Sequence, residues 1–328
     1  MLMGDFMKIS FFEVGNDEET RFREEFANYE VKFFKQSIQD VDISEYKDSD
    51  VISIFIYSKV FEEILEQMPN LKLVTTRSTG MDHINVEYCE AHNIAVKNVP
   101  LYGENTVAEH TFALLLAISR RIRMSHARVK SGSFSSRGLQ GMELRDKTIG
   151  IIGGGRIGMH VARMASAFDM YVKVYDLKRD EFLADIIAFK YASLDEIFQT
   201  ADVISLHLPY NESTHHILDS EAFNKMKDGV IIINTARGGL VDTNSLIDAI
   251  ESGKVSGAGL DVIEGEEFLL EENLYNSPIE EAAKLIIQSK KLLDNENIVF
   301  TPHNGFNSKE AENRIINKTI ENIREIIL

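Results

Sequence analysis

Short apolar runs alternate with longer amphipathic stretches along almost the whole chain. The runs Lys8–Val14, Val31–Phe34, Val51–Ile56, Leu71–Thr76, Ile94–Lys97, Thr148–Ile152, Tyr171–Tyr175, Val203–Leu206, Val230–Asn234, Ser256–Leu260 and Ile298–Thr301 predict strands. Several are apolar without alternation, as in Gly229-Val230-Ile231-Ile232-Ile233-Asn234. That pattern means burial on both faces, hence a parallel sheet covered by helices. The stretches Glu18–Tyr29, Phe61–Met68, Arg156–Phe168, Asp242–Ser252 and Ser308–Ile327 predict those helices. Repeated β-α units imply right-handed crossovers and an α/β fold of doubly wound parallel sheets. The longest helical pattern runs from Glu104 to about Lys130 and carries Phe112, Leu114, Leu115, Leu116 and Ile118. A helix apolar on several sides needs more than one neighbour, as in a domain connector or a subunit interface. Loop formers follow over Ser131–Gly138, and a new β-α series opens at Thr148, which puts a boundary between about Val99 and Ala108. The stretch Glu266–Asn297 breaks the rhythm and reads either as an excursion covering a site or as a surface insertion.

The 328 residues are enough for two domains at roughly 100–200 residues each. Asp and Glu number 52 against 35 Lys and Arg, a formal charge of −17. So acidic a surface repels phosphate backbones and anionic lipid, so neither nucleic acid nor a membrane is expected as a partner. The single cysteine, Cys89, excludes an internal disulfide and fits a reducing cytosol. No apolar run is long enough to span a membrane. Met1–Met7 lacks the basic and apolar regions of a secretory signal, and a cytoplasmic location is expected, with folded structure beginning near Met7. No His, Asp or Glu spacing resembles a metal site, and none is expected.

Gly153-Gly154-Gly155-Arg156-Ile157-Gly158 follows an apolar strand and opens a helix, the context that makes a glycine pattern informative. Gly153 suits a tight turn, Gly155 a close backbone approach to a pyrophosphate, and Gly158 close packing of helix on strand. The helix N-terminus offers unpaired N–H groups to phosphate. The next strand ends in Asp176, 23 residues after Gly153. A carboxylate there accepts hydrogen bonds from ribose hydroxyls and repels a 2′-phosphate, which favours NAD over NADP; Lys178 and Arg179 are the charges that could reverse the preference.

Polar residues follow three later strands: Arg237 after Val230–Asn234, the acidic cluster Glu264-Gly265-Glu266-Glu267 after Ser256–Leu260, and His303 after Ile298–Thr301. Ligands bind beyond the carboxyl ends of an open parallel sheet. A hydride leaving a secondary alcohol needs a base for the hydroxyl proton, and histidine has a suitable pKa. A carboxylate on its other ring nitrogen fixes the tautomer, and an arginine grips a substrate carboxylate. Each residue also has a plain reading. Arg237 could be a surface ion-pair residue, most of the acidic cluster could be solvated, and a lone histidine is more often structural. Position alone does not choose between Glu264 and Glu266. His110, His215 and His216 read as structural or cofactor-adjacent.

Taken with Arg77-Ser78-Thr79-Gly80-Met81-Asp82, Ala108-Glu109-His110, His207-Leu208-Pro209, Asn234-Thr235-Ala236-Arg237-Gly238-Gly239, Gly259-Leu260-Asp261-Val262 and Thr301-Pro302-His303, the sequence resembles the D-isomer-specific 2-hydroxyacid dehydrogenases, most of all their D-lactate dehydrogenase-type branch. The resemblance runs from about Val51 to the C-terminus. It implies a Rossmann NAD-binding domain over 106–305, inserted in a flavodoxin-like catalytic domain made of 1–105 and 306–328. It selects Glu266 as the partner of His303, with Arg237 binding substrate. It gives the Thr79 and Gly80 amides the substrate carboxylate, and Tyr102, Tyr57 and Phe306 the border of the substrate side chain. For the cofactor it implies Gly153, Gly155, Arg156, Ile157, Gly158 and Asp176. His207, Pro209, Asn211, Thr235 and Ala236 would line the cleft, and Asp261 would meet the nicotinamide amide. A hinge between the domains and a homodimer built on the long helix are implied too. The expected reaction is reversible, NAD-dependent reduction of a small 2-oxo acid to a D-2-hydroxy acid. Glyoxylate, hydroxypyruvate and branched-chain 2-oxo acids are alternative substrates, and a non-catalytic NAD-sensing scaffold is the rival from another class. Asn304 and the length of 267–297 depart from the family pattern and bear on pocket shape.

Overall fold

The computed structural model describes residues 7–266 and 279–327, so the expectations about Met1–Phe6 and the first part of the 267–297 excursion lie outside the described residues. The chain divides into two compact units, Met1–Tyr102 with Asn307–Leu328, and Gly103–Phe306.

The first unit holds β1 (Lys8–Phe11), β2 (Glu30–Phe33), β3 (Val51–Ile54), β4 (Leu73–Thr76) and β5 (Ala95–Lys97) in one parallel sheet of order β2-β1-β3-β4-β5. That is the flavodoxin-like doubly wound order. Both faces are covered, which explains the unbroken apolar runs. Ile9, Phe11, Val51 and Leu73 pack with Phe22, Ile320 and Ile323 on one side, while Phe12, Ile52, Ile54 and Val74 pack with Leu65 and Met68 on the other. The C-terminal helix Lys309–Ile327 thus completes a sheet begun at the N-terminus. Phe11 stacks on Phe22 at 4.5 Å between ring centroids.

The second unit holds β6 (Thr148–Ile152), β7 (Tyr171–Tyr175), β8 (Lys190–Tyr191), β9 (Val203–Leu206), β10 (Val230–Asn234), β11 (Val255–Leu260) and β12 (Ile298–Phe300). All seven are parallel, in the order β12-β11-β10-β9-β6-β7-β8. The chain winds outward in both directions from β6, which makes the fold α/β and doubly wound, as the periodicity implies. Helix Glu104–Ser119 crosses the sheet so closely that a Cβ on Gly259 would lie 2.9 Å from Leu114 Cβ, and one on Gly257 2.6 Å from Ile118 Cγ2. The small residues of β11 are therefore a packing requirement of that helix.

The helix expected to run unbroken to about Lys130 is two helices, Glu104–Ser119 and Ile122–Lys130. Arg121 between them is left-handed at φ +54°, and its guanidinium donates to Asn297 Oδ1. Arg123 reaches the Leu293, Asn295 and Ile298 carbonyls at 3.0, 3.1 and 2.5 Å. Ties to carbonyls on the far side of the excursion turn the chain where no glycine or proline marks a stop. The two-residue β8 and the short helices Val86–Ala91, Glu181–Ile187, Leu194–Thr200 and Ser220–Lys225 carry too little periodicity to be read, although Asn85, Asp180, Ser193 and Asp219 cap their N-termini. Within the excursion, Ile279–Asp294 is helical.

Phe22 is fully buried in the shared core of the two chain ends. Phe22→Ala is expected to lower the unfolding free energy of this unit by about 3–5 kcal/mol, read from urea unfolding curves. A loss below about 1 kcal/mol would mean that this core does not hold the unit together.

Candidate active site

Strand pairing sets the site. Tyr175, Ile152, Leu206, Asn234, Leu260 and Phe300 stand side by side across β7, β6, β9, β10, β11 and β12. The next residues are Asp176, Gly153, His207, Thr235, Asp261 and Thr301. One row of backbone bonds thus brings the glycine turn, the ribose-side acid and all three candidate catalytic turns to one sheet edge.

At the first of these turns Gly153 has φ +106°, and a Cβ there would lie 2.5 Å from the His207 carbonyl oxygen. Gly158 meets the Gly153 carbonyl, where a Cβ would be 2.1 Å away. Gly155 caps helix Arg156–Ala167 without a side-chain bond, and nothing lies within 4 Å of where its Cβ would be. The two outer glycines close the turn, while the middle one leaves open space at an unpaired helix N-terminus. That space fits a pyrophosphate. Asp176 lies beside it, accepting from Gly154 N at 2.7 Å and from Lys178 N at 2.7 Å. Arg156 pairs with Glu104 at 3.3 Å, and Ile157 and Pro209 lie close by in sequence to the turns after β6 and β9. Asn211 caps the β9 turn, accepting from Ser213 N at 2.9 Å. His207 Nε2 lies 2.8 Å from Ser205 Oγ, and burial pushes its imidazole down to about 3.

After β10, the buried Asn234 builds the next turn with its side chain, donating to the Arg237 carbonyl at 2.8 Å and accepting from Ala236 N at 3.0 Å. Thr235 and Thr111 share a hydroxyl contact of 2.9 Å. A Cβ on Gly238 would fall 2.2 Å from the Ile263 carbonyl carbon. The Arg237 turn therefore lies directly on the turn that carries Glu264 and Glu266. Arg237 itself is half-buried and donates to the Ala236 carbonyl at 2.8 Å.

Glu266 Oε1 and His303 Nδ1 are 2.6 Å apart, while Glu266 Oε2 accepts from Ile263 N at 3.1 Å. An ionised carboxylate only accepts, so the proton in this pair sits on Nδ1. Asp261, 2% exposed, accepts from Thr301 Oγ1, Asn304 N and Gly305 N at 2.5, 2.7 and 2.8 Å. His110 Nε2 is 3.2 Å from its Oδ1. Burial pushes the Asp261 carboxyl up, but His110, Thr301 and the two amides outweigh it and hold the group below the usual carboxylate range.

Two results correct the plain readings. Glu264 is not simply solvated: its Oε1 lies 2.8 Å from His216 Nε2, so two carboxylates of one turn each face an imidazole. His216, Asp242 and Glu264 also bring ligand-type atoms within 4.8 Å of one another, a grouping that sequence spacing does not reveal. Those atoms already have protein partners, since Asp242 caps the helix Thr243–Glu251 and Glu264 also accepts from Thr243.

The first unit carries Thr79, Gly80, Tyr57 and Tyr102. Ser78 Oγ donates to the Gly80 carbonyl at 2.7 Å, and Thr79 Oγ1 to the Val99 carbonyl at 3.0 Å. The Tyr57 loop hangs on one carboxylate: Glu13 accepts from the amides of Phe55, Tyr57 and Ser58 at 3.0, 2.9 and 3.0 Å. Arg77 is 1% exposed and donates to the Phe12 and Glu13 carbonyls at 2.7 and 2.8 Å, which assigns it a structural task. Phe306 closes the second unit, its Cβ 3.9 Å from where a Cβ on Gly103 would be.

The model of the D-isomer specific 2-hydroxyacid dehydrogenase NAD-binding domain matches residues 112–305, more than half of the chain. The chain belongs to the D-isomer-specific 2-hydroxyacid dehydrogenase family. A D-lactate dehydrogenase from Aquifex aeolicus, solved with NAD and lactic acid, is 38% identical with a TM-score of 0.91, covering 97% of this chain and 95% of that one. A hydroxypyruvate reductase from Thermotoga maritima is 39% identical over 84% of this chain and 83% of its own. An aromatic 2-oxoacid reductase from Clostridium sporogenes is 37% identical over 86% and 84%. This dehydrogenase is therefore an NAD-dependent enzyme, and the open glycine turn with Asp176 beside it fits that cofactor. No helix among the described residues is long and apolar enough to cross a membrane.

His207 yields a pH prediction. Unfolded, it takes a proton near pH 6.5; folded, it refuses one until about 3. Its depressed pKa therefore stabilises the fold fully above the unfolded value and less as pH falls, by about 1.4 kcal/mol per unit. Urea midpoints of the wild type and of His207→Gln are expected to diverge at high pH and converge on acidification below about pH 6.5. Parallel pH profiles would show that the ring is not desolvated.

Proposed function

We propose that this dehydrogenase reduces a small 2-oxo acid of pyruvate size to the D-2-hydroxy acid, with Arg237, Glu266 and His303 as its catalytic residues. The observation that carries the reading is the 2.6 Å Glu266–His303 pair, set at the same strand edge as the glycine turn. With Nδ1 held by Glu266, protonated His303 gives its Nε2 proton to the substrate carbonyl oxygen and takes it back in the reverse direction. Arg237 binds the substrate carboxylate and stabilises negative charge developing on the carbonyl oxygen. The Thr79 and Gly80 amides hold the carboxylate too, and none of the described residues accepts a hydrogen bond from either. Tyr102, Tyr57 and Phe306 border the substrate side chain. NADH, when bound, supplies the hydride from C4 of its nicotinamide. Gly153, Gly155, Arg156, Ile157 and Gly158 hold the pyrophosphate and Asp176 the ribose. His207, Pro209, Asn211, Thr235, Ala236 and Asp261 would line the rest of the dinucleotide's cleft.

The residues of 1–105 and 306–328 form the substrate domain and those of 106–305 the NAD domain in this reading. The enzyme works in the cytoplasm as a homodimer joined through Glu104–Ser119 and the helix after it. Ile122 and Val129 on that second helix are 55% and 47% exposed, and Phe134 beyond it is 86% exposed, apolar area that a partner copy would cover.

Pyruvate, glyoxylate, hydroxypyruvate, 2-oxoisocaproate and phenylpyruvate, each with NADH, test the substrate class through the ultraviolet absorbance of NADH. Turnover of none of them would end the reading. His303→Ala is expected to lose about 10²–10⁴ in kcat while NADH still quenches or shifts fluorescence with near wild-type affinity. Wild-type turnover in that variant would remove His303 from its role. Light scattering is expected to give twice the 37.1 kDa chain mass, and a monomer mass would dismiss the dimer.

A further inference from the structure

His303, the proposed proton donor, has a left-handed backbone, with φ +49°. A non-glycine residue stays there only when its surroundings over-determine it. Here one residue supplies most of that constraint. The His303 amide donates to the Asp261 carbonyl at 2.8 Å, the Asn304 amide to Asp261 Oδ1 at 2.7 Å and the Gly305 amide to Asp261 Oδ2 at 2.8 Å. Three successive amides thus form a nest over Asp261, the first on its main-chain carbonyl and the other two on its carboxylate.

A buried carboxylate can hold that nest only if it stays ionised and stays still. Two groups outside the nest act on it. Thr301 Oγ1 lies 2.5 Å from Asp261 Oδ1, and His110 Nε2 lies 2.9 Å from Thr301 Oγ1 and 3.2 Å from Asp261 Oδ1. The proton inventory is determined. An ionised carboxylate only accepts, so Thr301 gives it the single hydroxyl hydrogen. The hydroxyl then accepts, which puts a proton on His110 Nε2. Gly305 records how tight the arrangement is. A Cβ there would sit 2.9 Å from Asp261 Oδ2 and 3.5 Å from His110 Cδ2, with the carboxylate pinned and unable to retreat.

We propose that His110, Thr301 and Asp261 form a relay of positioning residues that holds the His303 backbone in its left-handed conformation and so aims its ring between Glu266 and the substrate. The inference rests on the reading of His303 as the proton donor. It separates the tasks of the two strand-end acids: Glu266 faces the imidazole itself, whereas Asp261 holds the peptide groups that carry it. His110 sits on the helix Glu104–Ser119 and its hydrogen bonds reach the loop through Thr301 and Asp261, so in this proposal it acts on the reaction without touching a reacting atom.

Thr301→Val keeps the shape of the side chain and deletes the hydroxyl that bridges His110 and Asp261, leaving the ring only its longer direct contact of 3.2 Å with the carboxylate. It is expected to lower kcat by about a hundredfold, the cost of misplacing a reacting group by about 1 Å, while KM for the 2-oxo acid and the dissociation constant of NADH stay near wild-type values. Thr301→Ser restores the hydroxyl and is expected to recover most of the lost kcat. A valine variant with wild-type kcat, equal losses in the valine and serine variants, or a loss of NADH affinity as large as the loss of kcat would each overturn the relay. A readout without turnover keeps the test independent of the substrate. The ring Cε1 proton of His303, assigned in the nuclear magnetic resonance spectrum by its disappearance in His303→Gln, is expected to move in Thr301→Val and to return in Thr301→Ser. An unmoved signal overturns the relay even if no 2-oxo acid is turned over, whereas an inactive wild type with a moving signal overturns only the functional reading.

Discussion

The direction of the strands in the second sheet decides where this protein can do chemistry. All seven run the same way, and the hydrogen-bond ladders between them put six strand ends in one row. The residue that leaves each strand is therefore fixed in space by backbone pairing before any side chain is chosen. A slip of one residue in any of these ladders would carry that strand's end off the row and its turn away from its neighbours. Positions 153, 176, 207, 235, 261 and 301 share one edge because the apolar runs before them are buried on both sides. A packed core thus does the positioning that catalysis needs, and the turns carry the chemistry.

This edge was largely legible in the sequence, for the same physical reason. A strand buried on both faces is a continuous apolar run, so Ile231-Ile232-Ile233 and Ile149–Ile152 declare themselves, and a polar residue just past such a run is at a strand end by construction. Gly153 and Gly158 were legible because each sits where a Cβ would strike a carbonyl. What was not legible depends on contacts between residues far apart in sequence. The break at Arg121 comes from carbonyls some 170 positions on. β8 is two residues long and is held by β7 alone. His110 is one polar residue on an apolar helix, and nothing in its neighbourhood along the chain points to Thr301 or Asp261. The choice between Glu264 and Glu266 also had no local answer. Both acids face imidazoles far away in sequence, Glu264 that of His216 and Glu266 that of His303.

The fold also explains how two acids five positions apart come to do different work. Asp261 leaves its strand immediately, while still inside the sheet, and is 2% exposed. At that depth an unsatisfied carboxylate would be protonated or expelled, so it must be surrounded by donors, and the donors at hand are the peptide groups of the neighbouring strand's turn. Glu266 comes one turn later, where its side chain is 21% exposed, and it faces one ring nitrogen and one amide. A carboxylate with few donors is a better partner for a cationic ring, because little else competes for its charge. Depth below the edge therefore sorts the roles. The acid surrounded by donors holds the peptide groups of the next strand's turn in place. The acid with fewer donors keeps its Oε1 for the His303 ring. Exchanging the two environments would strip Asp261 of its donors, and an unsatisfied carboxylate could not remain charged in the core.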